Sequence, residues 1–154
     1  MLLVVVVAVP ILIVGFFEAR KAYWDHRVNQ MCEKDGGVTV YERIVLSEEE
    51  YKRLGGTKSG LAFPLEQVAE KSGFPYFRRV VDVRIRDASP EVVRFETLLI
   101  RRSDRKVLGR VVQYGRSGGD FPTGISSQTY FMCPRLKTPF WPAIFSVKIE
   151  RTGR

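Results

Sequence analysis

The side chains able to do chemistry are few in this chain and widely spaced. His26 is the only histidine. An imidazole can act as a general base, but no nucleophile stands near it in the sequence. Catalysis demands a set of oriented partners, so a solvent-facing or interfacial histidine is the simpler reading. Cys32 and Cys133 are the only cysteines. With one histidine they do not supply the clustered spacing of a zinc site, so no metal, cofactor or catalytic residue is expected. Glu48, Glu49 and Glu50 resemble a carboxylate cluster, yet at the start of a helix such residues favour its positive end. The stretch Gly115-Arg116-Ser117-Gly118-Gly119-Asp120 could form a phosphate nest. It lacks the Gly-Lys-Ser/Thr ending of a P-loop and the spacing of a dinucleotide fingerprint, and a plain loop is expected instead. Whether the protein is an enzyme stays open, with a non-enzymatic role favoured.

Charge is concentrated. Residues 76–116 carry eleven basic and five acidic side chains, a surplus of six in a chain of net charge +8. Arg84, Arg86, Arg101, Arg102 and Arg110 are the candidates for an anion-binding surface, which would attract phosphate in lipid head groups or nucleic acid. A solvated face balanced by cross-strand ion pairs, such as Arg84 with Glu96, is the competing and preferred reading. No helix-turn-helix, zinc-finger or RNA-binding signature is present, so nucleic acid is the less expected partner.

The strongest pattern lies at the N-terminus. Met1 to Phe17 contain no charged side chain. A helix over Leu2–Phe17 would rise about 24 Å, somewhat less than the roughly 30 Å hydrocarbon core of a bilayer. Ala19, Ala22, Tyr23 and Trp24 could extend it into the interface, where Tyr and Trp sit well. A secretory signal would carry a basic start and small residues before the cut; neither is seen here. A buried core helix would show polar interruptions. The expectation is therefore an uncleaved single-pass anchor over 1–17, a helical stalk over 18–36 and an α+β globular domain over 37–154. Membrane lipid is the partner of residues 1–17. Arg20, Lys21 and Arg27 would hold the body on the cytoplasmic side. The cysteine pair argues the other way, since an isolated pair in an exported domain often forms one disulfide. Two unrelated buried thiols are the alternative. The balance favours an inner-membrane protein with a periplasmic body.

These residues need elements to hold them. Trp24, Val28, Met31 and Cys32 recur at helical spacing, and Gly36-Gly37 should stop that helix. Val38–Leu46 reads as one strand. Ser47-Glu48-Glu49-Glu50 reads as a capping box opening a short helix to about Leu54. Pro64 should open another that ends near Gly73. Val81, Val83 and Ile85 alternate with Asp82, Arg84 and Arg86 as in a half-exposed strand. Strands over Val92–Arg101 and Val107–Tyr114 follow, joined by a turn at Ser103–Lys106. Phe145, Val147 and Ile149 mark a last strand. Gly115–Trp141, with four glycines and three prolines, reads mostly as loop. Pro139–Phe145 reads as aromatic packing over a sheet edge, with an exposed partner-binding ring pair as the alternative. The fold expected is α+β: an N-terminal transmembrane and stalk helix, then one small domain with an antiparallel meander sheet covered on one face by short helices.

The run Cys32-Glu33-Lys34-Asp35-Gly36-Gly37-Val38-Thr39-Val40-Tyr41-Glu42, with the later Cys133-Pro134, resembles a pattern in uncharacterised small membrane-anchored proteins of Gram-negative bacteria. In those an apolar segment precedes a Cys, then Asp-Gly-Gly and a Val-Tyr-Glu strand. The resemblance covers two short patches and implies an anchored envelope domain and a Cys32–Cys133 pair. It implies no activity and no catalytic residue.

The function expected is a non-enzymatic, membrane-anchored interaction or scaffold module of the cell envelope with a protein partner. A cationic module for anionic lipid or nucleic acid is the second reading. An enzyme whose site is assembled only in the fold is the third.

Overall fold

Helix α1 runs without interruption from Leu2 to Asp35, through Pro10. The computed structural model describes residues 2–57, 60–121, 128–136 and 139–148, with side chains from Val6 onward. After α1 come β1 (Gly37–Val40), β2 (Ile44–Ser47), α2 (Glu48–Arg53), α3 (Glu66–Ser72), β3 (Tyr76–Arg86), β4 (Glu91–Arg101), β5 (Val107–Ser117), β6 (Tyr130–Cys133), a 3-10 turn (Trp141–Ala143) and β7 (Phe145–Lys148). The fold is α+β. β3, β4 and β5 form an antiparallel meander in the order β1-β5-β4-β3, with β6 also pairing with β5.

No helix among the described residues is long and apolar enough to cross a membrane. What ends α1 is the glycine pair. The Gly36 amide closes the last turn on the Cys32 carbonyl at 2.8 Å, and a Cβ there would lie only 2.5 Å from that oxygen. Gly37 follows with φ +115°, a backbone state that L side chains rarely adopt.

Two compact units divide the chain. One holds residues 1–36, 82–95 and 113–135, and the other residues 37–81, 96–112 and 136–154. In the first, β6 pairs antiparallel with the end of β5 in the register Tyr114↔Cys133 to Ser117↔Tyr130. This strand lies in the stretch expected to be mostly loop. Few residues announce it, because β6 is four residues long and owes its place to β5. Gly115 makes room for it: a Cβ there would meet the Tyr130 hydroxyl at 2.8 Å and the Phe95 ring at 2.9 Å.

In the second unit, β1 pairs antiparallel with β5 from Gly37↔Val112 to Val40↔Gly109. The single strand expected over Val38–Leu46 is two strands. Tyr41 and Glu42 both donate backbone N–H to the Leu108 carbonyl, at 2.9 and 3.0 Å, and the chain leaves the β5 edge there. β2 then pairs in parallel with β7, Ile44↔Phe145 to Ser47↔Lys148. A separate parallel pair was not expected from the sequence, because its partners lie about a hundred residues apart. The described part of β7 ends at Lys148, so Ile149 lies outside the described residues.

The capping box of α2 is present. The Glu50 amide donates to the Ser47 hydroxyl at 3.2 Å, and the Ser47 amide donates to the Glu50 carboxylate at 2.8 Å. α3 starts two residues after Pro64, at Glu66 with Leu65 at its N-cap, and ends at Gly73 in the left-handed region. The core of this unit gathers Leu46, Leu61, Phe63, Leu99, Leu108, Val111, Phe140, Ile144 and Phe145. Phe63 stacks on Phe145 at 5.2 Å and meets Trp141 edge-on at 5.1 Å. The Pro139–Phe145 stretch is therefore core, through Phe140, Ile144 and Phe145.

Candidate functional site

Helix α1 has two halves of different character. From Val6 to Phe16 its side chains face solvent: Ile11 is 65% exposed and Leu12 71%. From Phe17 onward the same helix is fastened to its own unit at successive turns. Val28 is fully buried. Such an extent of contiguous exposed apolar surface is unusual for a protein in water.

The fastening is a ladder of contacts from Asp35 down to Phe17. Tyr114 donates its hydroxyl to Asp35 at 2.6 Å, and Arg94 reaches the same carboxylate at 3.4 Å. Burial pushes the Tyr114 phenol upward, and its bond to Asp35 acts the same way. Cys32 and Cys133 lie at disulfide distance, with Cα atoms 6.0 Å apart, inside the range a disulfide requires. Asp25 takes a two-pronged ion pair from Arg116, at 2.6 and 3.3 Å. Arg116 is 2% exposed, and it also donates to the Gly118 carbonyl and, at 3.0 Å, to the Thr129 hydroxyl. Trp24 lies under the Arg86 guanidinium at 4.7 Å, and Arg86 donates to the Pro90 carbonyl at 3.0 Å. Arg20 donates to the Ser89 carbonyl. Lys21 bridges Glu18 at 2.9 Å and Asp120 at 3.4 Å. At the foot of the ladder, the Phe17 ring meets Phe121 edge-on at 5.4 Å.

Asp120 is a corner of this arrangement. The Thr129 amide donates to it at 2.7 Å and the Thr129 hydroxyl at 2.9 Å. That amide, joined by the hydroxyl and Lys21 and partly opposed by burial, holds the Asp120 carboxyl below the usual carboxylate range. Lys21 is raised, first by its hydrogen bond to Glu18. The glycines weighed above as a phosphate nest have other work. Gly115 to Ser117 lie in β5, and the Gly118 amide donates to the Thr129 carbonyl at 3.0 Å.

The five candidate arginines are placed one by one. Arg84 pairs with Asp87 at 3.4 Å and Glu91 at 3.3 Å. Arg86 is stacked on Trp24 as described. In the other unit, Arg101 pairs with Glu42 at 2.7 Å and Asp104 at 2.9 Å. Arg110 pairs with Glu96 at 3.7 Å, and Arg102 is exposed. The Arg84–Glu96 pair suggested by the alternation is replaced by Arg110–Glu96. Asp87, just after β3, and Glu91, the first residue of β4, sit closer to Arg84 than a simple pattern count reveals. Arg116, read above as one cation among eleven and as part of the possible phosphate nest, is the buried one. No local pattern marked it, because its partner Asp25 lies 91 residues away on α1.

His26 is exposed on α1, with its Nε2 3.1 Å from the Gln30 side-chain nitrogen. Among the described residues no group of three or more His, Cys, Asp or Glu side chains could hold a metal ion. An open hollow of about 640 Å³ is lined by Val45, Ser47, Glu48, Glu49, Lys52 and Lys148. Its Glu48 pairs with Lys52 at 2.8 Å. The Lys52 hydrogen bond lowers the Glu48 carboxyl, and the Ser47 amide lowers that of Glu50. A general acid needs the opposite shift. No protein-family profile, curated protein or solved structure matches this chain.

Proposed function

We propose that this protein is a membrane-anchored, non-enzymatic module of a bacterial cell envelope that presents its folded units to a protein partner. In this reading α1 is a single-pass anchor in the inner membrane and the body is periplasmic. The observation that carries it is the exposed apolar run Val6–Phe16 on a helix whose remaining turns are fastened down. Burying that run in lipid removes the cost of wetting it, at about 25 cal/mol per Å². Val6 to Phe17 rise only about 18 Å and the whole apolar sequence from Leu2 about 24 Å. Tyr23 and Trp24 continue it at the interface, and thin bilayers and local thinning accommodate a short span. The Cys32–Cys133 pair favours an oxidising compartment over the cytoplasm.

The test is flotation of the full-length protein with native membranes after an alkaline wash. Recovery in the membrane fraction is expected, and release of the intact chain into the soluble fraction overturns the anchor. An impermeant thiol reagent applied to intact cells, with and without reduction, reads the side of the body. The partner is sought by crosslinking in native membranes, and a result showing lipid alone argues against a scaffold.

A further inference from the structure

We infer that the first unit touches the bilayer a second time, through Phe121, so that the protein docks on the membrane surface and does not merely hang from its anchor. This rests on the anchor reading above. The ladder of contacts fixes the direction. Going down α1 from Asp35 to Phe17, the partners move along the meander from Tyr114 and Arg94 to Arg116, Arg86, Ser89, Asp120 and finally Phe121. The β3–β4 turn and the residues after β5 therefore flank the point where the apolar run begins. Phe121 packs its ring against Phe17, the residue that follows that run, while remaining 43% exposed. Its exposed ring is thus continuous with the apolar surface of Val6–Phe16.

The occupant that fits is the interfacial layer of a bilayer. A Phe ring on the apolar face of a membrane-bound segment sinks into the boundary between head groups and acyl chains. Of the charges beside it, Lys21 pairs with Glu18 and Asp120 and Arg20 donates to the Ser89 carbonyl, and these four side chains sum to no net charge. The contact should accordingly be apolar and depend little on lipid charge. Asp120 and its Thr129 bonds hold the backbone that carries Phe121.

The experiment uses the full chain reconstituted in phosphatidylethanolamine–phosphatidylglycerol vesicles. A photoreactive benzoylphenylalanine replaces Ile11, Phe121 or Val83, one at a time. Val83 is a reference, similarly exposed at 45% but on β3. Lipid adducts are expected at 11 and 121 and absent at 83. Adducts at 11 without adducts at 121 overturn the docking and leave the anchor standing. Equal adducts at 121 and 83 overturn it as well. No adduct at 11 overturns the anchor and the docking together. Repeating the 121 measurement in vesicles without phosphatidylglycerol should leave the yield unchanged, and its loss overturns the apolar contact.

Discussion

Arg116, on β5, is buried, and its guanidinium is gripped by the Asp25 carboxylate of α1 at 2.6 and 3.3 Å. Removing the acid leaves a cation in a place that water barely reaches. Asp25→Ala is expected to destabilise by about 3 kcal/mol, the lower end for a broken buried pair because Asp25 is partly exposed. Asp25→Asn keeps an acceptor and should cost about 1–2 kcal/mol. Chemical denaturation in detergent micelles measures both. Equal losses for the two variants would mean that charge plays no part.

Cys32 and Cys133 lie at disulfide distance across 101 residues of chain, and a bond between them is expected. In the chain-entropy account a loop of that length restricts the unfolded chain by about 4–5 kcal/mol. Reduction, or Cys32→Ser with Cys133→Ser, should lower the unfolding midpoint strongly. An unchanged midpoint after complete reduction, checked by thiol counting, would contradict the link.

Asp120 makes stability sensitive to acid. Its folded-state pKa lies below the ordinary aspartate value of 3.8, chiefly because of the Thr129 amide. A depressed carboxyl stabilises fully above the unfolded value and loses that contribution as pH falls through the folded value. Lys21 is raised above 10.5, so its contribution is complete below that pH and is lost only in strong alkali. Between these limits the pair should give a flat profile. Melting of the parent and of Asp120→Asn should differ at neutral pH and converge below about pH 4. A gap that stays constant down to about pH 3 would assign Asp120 a purely steric role.

Gly109 sits where β1 and the Ile144 side chain close on β5. A Cβ there would lie 2.7 Å from Ile144 Cδ1 and 3.0 Å from the Thr39 carbonyl. Ile144 is 1% exposed and has no room to swing away. Gly109→Ala should cost about 1–3 kcal/mol by overpacking. In an Ile144→Val background, which removes that methyl, the cost should shrink. Strict additivity of the two changes would place the strain elsewhere.

Local chemistry was legible in the sequence. Ser47 and Glu50 announce their own cap because both partners lie within one helical turn. Gly36-Gly37 stops α1, and the alternation over Val81–Arg86 marks a strand, since side-chain periodicity follows directly from backbone geometry. The α+β class follows from those periods taken together. The apolar character of Met1–Phe17 is likewise a property of composition alone.

The tertiary structure decided the rest. Cys32 and Cys133 are two cysteines in the sequence, and only the packing of α1 against β6 sets them 6.0 Å apart. The parallel pairing of β2 with β7, the choice of Glu96 by Arg110 and the burial of Arg116 all join residues far apart in the chain. Closing such distances depends on which surfaces fit once the chain has folded, and no local pattern encodes that. The sequence by itself determined which segments are apolar and which are periodic. The fold alone chose the partners, because a pairing between residues far apart in the chain depends on how the folded surfaces fit, which no local period encodes.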